Sequence, residues 1–104
     1  MRMLMKVSIP VETGNAAVAN GSLGTTIQRI LAEVKPEAAY FVEDGGQRTG
    51  YIVFDMQDSS QLPAVAGPWF LAFKADVTVR PAMNLDDLAK AAPAMKRAVE
   101  AYAK

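Results

Sequence analysis

The sequence predicts a single α+β domain of β-α-β-β-α-β order with one more helix at its C-terminal end. Three observations predict it. Period-two alternation runs through the first nine residues, a glycine turn joins two aromatic and β-branched stretches, and apolar residues at helical spacing separate and follow them. With 104 residues the chain has the size of one domain, taken as residues 1–104.

In the first strand Met1, Met3, Met5, Val7 and Ile9 face one way and Arg2, Leu4, Lys6 and Ser8 the other, until Pro10 ends it. A short helical turn follows, capped by Thr13, with Asn20-Gly21 as its stop. Ser22 or Thr25 then caps a second piece in which Leu23, Ile27, Ile30, Leu31 and Val34 form one face, closed by Pro36. Strands are expected over 38–43 and 48–56, joined through Asp44-Gly45-Gly46-Gln47, since glycine accepts the positive φ that a tight hairpin requires. Asp58 and Gln61 have capping-box spacing and open a short helix that Gly67-Pro68 is expected to stop. Residues 69–80 alternate and read as the last strand, ended by Pro81. Asn84 with Asp87 caps the final helix, whose stripe is Leu85, Leu88, Ala92, Met95, Val99 and Tyr102, and Pro93 is expected to kink or split it.

Composition excludes several chemistries. The chain has no cysteine and no histidine, which removes disulfides, thiol nucleophiles, thiolate or imidazole metal sites and the usual general base near neutral pH. No cofactor and no metal are expected. Eleven basic residues balance eleven acidic ones, so neither nucleic acid nor an anionic membrane is an expected partner. No apolar run approaches the roughly 20 residues of a membrane span, and Met1–Val7 lacks the pattern of a signal peptide. A cytoplasmic location is the expectation.

This order of elements, with a central hairpin, fits a ferredoxin-like sandwich: four antiparallel strands with both crossovers on one face. The opposite sheet face is then mixed, bearing Leu4, Lys6, Tyr51, Val53, Lys74, Asp76, Thr78 and Arg80. A half-apolar face on a small domain points to a partner that covers it. Over about residues 1–82 the chain resembles the dimeric α/β-barrel superfamily. The likeness rests on element order, strand lengths and the Glu37-Ala-Ala-Tyr-Phe-Val-Glu-Asp-Gly-Gly46 hairpin region. That group includes cofactor-free monooxygenases, muconolactone isomerase-like proteins and stress-responsive barrel proteins. The resemblance implies a homodimer through the open sheet face and a pocket between sheet and helices for a small organic molecule. It transfers no catalytic residue, and the histidines of the haem-degrading relatives have no counterpart here.

Candidate ligand-binding residues are Asn15, Tyr40, Tyr51, Trp69 and Arg80. Arg80 offers a guanidinium fork to a carboxylate, or else pairs with Asp76 or with a partner subunit. Tyrosine supplies a hydroxyl to orient a carbonyl; Trp69 is either a pocket wall or a core anchor. Asn15 lies where relatives place substrate-facing groups, though local capping or a turn hydrogen bond is the commoner role for such a residue. Glu12, Glu43, Asp44 and Asp55 near strand ends are candidates for acid/base work, or ordinary loop carboxylates. Arg48-Thr-Gly-Tyr-Ile-Val-Phe54 partly resembles the third-strand signature of RNA-recognition domains. Tyr51 and Phe54 fall on opposite faces there, which argues against base stacking. Two functions follow: an organic molecule bound or transformed without a cofactor, or a non-catalytic binding or oligomerisation module.

Overall fold

A computed structural model describes residues 1–103. The elements are β1 (Arg2–Ile9), α1 (Val11–Ala19), α2 (Leu23–Val34), β2 (Ala38–Asp44), β3 (Gln47–Asp55), a single 3-10 turn (Ser59–Gln61), α3 (Leu62–Phe73), β4 (Asp76–Pro81) and α4 (Leu85–Tyr102). The strands form one antiparallel sheet in the order β2-β3-β1-β4, the arrangement a ferredoxin-like sandwich requires.

The alternation of β1 does what its pattern predicts. Met3, Met5, Val7 and Ile9 are buried, and the register sets them beside Phe54, Ile52, Gly50 and Arg48 of β3. Ala17 of α1, Ile30 of α2, and Trp69 and Phe73 of α3 complete one core on that side of the sheet. Both crossovers therefore lie on one face. At about 25 cal/mol per Å² of apolar surface, this single layer of contacts is the main stabilising term.

The hairpin closes through Gly45 and Gly46, with φ of 62° and 81°. Glycine adopts these values without a Cβ penalty, and they fit a two-residue hairpin turn. The predicted capping box of Asp58 with Gln61 forms, and the expected cap at Asn84 is also a capping box, closed with Asp87.

Four expectations need correction. The first helix starts at Val11, directly after Pro10, so Thr13 lies inside it rather than capping it. Gly67-Pro68 does not stop α3, which continues to Phe73. Proline crowds the N–H and Cβ of the residue before it, and Gly67, with no Cβ, relieves part of that crowding. Ala66, Trp69 and Phe73 are buried at helical spacing, and the Trp69 and Phe73 rings lie 6.1 Å apart. That burial offsets the hydrogen bond Pro68 cannot donate. Lys74, expected on the open sheet face, instead ends α3 in the left-handed region at φ 52°. Pro93 does not split α4, which runs unbroken.

α4 carries no buried residue. The molecule measures 59 Å along its longest axis and has a radius of gyration of 17.4 Å, against about 13 Å for a compact chain of this length. Its first turn is tied to the sheet by an Arg2–Asp87 ion pair at 3.7 Å, and the rest leans into solvent.

Candidate functional site

A cavity with an apolar wall lies between the sheet and α2, at the end of the sheet where β3 begins, with a volume of about 360 Å³. That is within the range of small-molecule sites, about 300–1,000 Å³. Its wall is apolar: Val7 and Ile9 from β1, Leu23 and Ile27 from α2, Phe41 from β2 and Trp69 from α3. Gly50 leaves the floor open. A Cβ built there would lie 2.9 Å from the Phe41 ring, so a side chain at this position would displace the ring. Trp69 is fully buried, and its indole N–H is a buried donor without a partner among the described residues.

Two charged residues line the cavity, Arg48 and Glu43, which are cross-strand neighbours. They do not form an ion pair. The Glu43 carboxylate accepts the Gly46 N–H at 3.1 Å in the hairpin turn. Arg48 donates from Nη1 to Asn15 Oδ1 of α1 at 3.0 Å.

The opposite face of the sheet holds a second polar group. The Tyr51 hydroxyl donates to Asp44 Oδ2 at 2.5 Å, and Lys6 Nζ reaches the same oxygen at 3.2 Å. The Tyr51 hydrogen bond, followed by Lys6, holds the Asp44 carboxyl below the usual range. The same bond to Asp44 raises the Tyr51 phenol, and Asp44 raises Lys6. Tyr51 is thus a neutral hydroxyl committed to a carboxylate, an arrangement unsuited to a general base at neutral pH.

The five sequence-predicted residues do not converge. Trp69 forms part of the cavity wall and Asn15 holds Arg48 at its rim. Tyr51 and Arg80 share a depression of about 140 Å³ on the other sheet face, with Leu4, Lys6 and Thr78. Tyr40 lies opposite Tyr51 in the β2–β3 register and is 70% exposed. Sequence reasoning missed Arg48, Phe41, Leu23 and Ile27 as a cavity lining. The signal available was Arg48 in phase with Ile52 and Phe54, a cation on a core-facing row. Among the described residues no three His, Cys, Asp or Glu side chains group to hold a metal ion, and no helix is long and apolar enough to cross a membrane.

Fold and cavity together define a small α+β protein with an apolar pocket under one end of an antiparallel sheet. The chain belongs to the DUF3303 family, described as a domain of unknown function, whose model matches residues 1–96. A search of curated proteins finds no match. Among solved structures, the chain is similar to a formyltetrahydrofolate deformylase from Pseudomonas putida KT2440. The TM-score is 0.51 at 13% identity, over 79% of this chain and 29% of that one. The likeness is one of fold, and the chain spans less than a third of that enzyme's length.

Proposed function

We propose that this protein is a homodimer of the dimeric α/β-barrel type that binds a small organic molecule in the cavity between sheet and helices. The cavity carries the reading: about 360 Å³ of apolar-walled space in a domain this small, with its charged groups confined to Arg48 and Glu43. In the catalytic form of the reading, the molecule is transformed without a cofactor and supplies its own reactive carbanion. Glu43 is then the one carboxylate on the lining, and it moves the proton through the oxygen that the Gly46 N–H leaves free. The alternative is a non-catalytic oligomerisation module. It draws on the exposed stripe of α4, where Leu85, Leu88, Met95, Val99 and Tyr102 all face solvent.

Ile27→Phe separates the two. The larger side chain fills part of the cavity and leaves α4 and the open sheet face untouched. Small apolar probes should bind the unaltered chain by calorimetry, and Ile27→Phe should weaken them about tenfold or more. Equal affinity in both chains places the probes elsewhere and favours the assembly module.

A further inference from the structure

We infer that the cavity takes an apolar molecule bearing a single carboxylate, held by the Arg48 guanidinium at the rim with its apolar body along Leu23, Ile27, Phe41 and Trp69. The inference rests on the cavity being a ligand site and names the class of ligand. Arg48 occupies the row of β3 that faces the core, in phase with Ile52 and Phe54, and is itself exposed at the open end of that row. Among the described residues Arg48 has no ion pair, and its neighbour Glu43 is engaged by the hairpin turn. Its side-chain partner is the Asn15 amide, which orients one nitrogen and leaves the remaining donors of the guanidinium open to a ligand. A guanidinium carries five N–H donors in a planar fork, so the remaining ones match the two oxygens of a carboxylate.

The arm is also built to lie where it does. A Cβ on Gly14 would come 2.9 Å from Arg48 Nη1 and 3.4 Å from Cδ. The absence of a side chain in α1 lets the guanidinium rest against the helix, and Asn15, the next residue, then reaches it. Fixing the charge before the ligand arrives lowers the ordering cost of binding. A phosphate dianion fits less well. A lone guanidinium meets it, and Glu43 adds a negative charge to the same rim.

The test uses the full chain with octanoate, octan-1-ol and octyl phosphate below their aggregation limits. Trp69 is the chain's one tryptophan and lies in the cavity wall, so its fluorescence reports occupancy, with calorimetry as a second readout. Octanoate should bind about tenfold or more tighter than octan-1-ol. Arg48→Gln should lower octanoate to the alcohol's level, and Arg48→Lys, which keeps the charge but loses the fork, should fall between. Equal affinities for octanoate and octan-1-ol would overturn the carboxylate assignment and leave the cavity as an apolar site. Tightest binding by octyl phosphate would also overturn it, in favour of a phosphate. Binding of none of the three would defeat the cavity reading as well. The ligand comparison in the unaltered chain decides the matter even where a substitution fails to fold.

Discussion

Lys6, Asp44 and Tyr51 come from three strands and meet on the open face, where each alters the others' ionisation. The carboxyl of Asp44 is held low mainly by the Tyr51 hydrogen bond. Its contribution to stability is therefore present above the unfolded value of about 3.9 and is lost as pH falls through the lower folded value. For Tyr51 the direction reverses. Its phenol is raised, so its contribution is present below about 10 and disappears as pH rises through the folded value. Asp44→Asn should bring the Tyr51 titration back down, read as earlier tyrosinate absorbance than in the unaltered chain. It should also flatten the acid limb of stability below about pH 4. An unchanged tyrosine titration contradicts the pairing. All three groups reach solvent, so the effect on stability near neutral pH is small.

At the level of elements, α3 anchors the second crossover through Ala66, Trp69 and Phe73, of which Trp69 is the largest and fully buried. Trp69→Ala should cost about 3–5 kcal/mol, a large share of the roughly 5–15 kcal/mol that holds a small domain together. Denaturant unfolding reads this directly, and a loss under about 1 kcal/mol would refute the anchoring role. The same segment shows where sequence reading reaches its limit. β1, the Gly45-Gly46 hairpin and the caps at Asp58 and Asn84 are legible because each is decided by residues a few positions apart. Trp69–Phe73 is not. Its aromatic, strand-like composition follows an apparent Gly-Pro stop, and alternation from Leu71 onward continues into β4. What makes it helical is burial of Trp69 and Phe73 in the core they share with Met3, Met5 and Ile30, residues distant in sequence. Arg48 was obscure for the same reason. It reads as the polar start of a strand until the register places it by Glu43 and the fold brings Asn15 to it.

Over the whole molecule, two surfaces lack intramolecular cover: the open sheet face and the apolar stripe of α4. Leu4, Tyr51 and Val53 are only half-buried on that face, with Tyr40 and Val42 exposed along its β2 edge. Six residues per strand at about 3.3 Å, across four strands about 4.8 Å apart, give a face of roughly 400 Å². Two such faces bury about 800 Å², short of the roughly 1,200–2,000 Å² of a stable specific interface. A face-to-face dimer therefore draws on more than the sheet. α4, about 27 Å long and extending from the body, is the element able to supply the remainder. Light scattering at micromolar concentration should return twice the mass of one chain. Tyr51→Asp sets a second carboxylate beside Asp44 in the middle of the open sheet face and should shift the mass of a dimer built on that face toward that of a single chain. Leu88→Glu with Val99→Glu should do the same from the helix while leaving the far-ultraviolet dichroism intact. A monomer in the unaltered chain defeats the dimer outright. A dimer indifferent to Tyr51→Asp but broken by the α4 pair would assign the interface to the helix alone, leaving the sheet face and its Lys6–Asp44–Tyr51 group open to solvent.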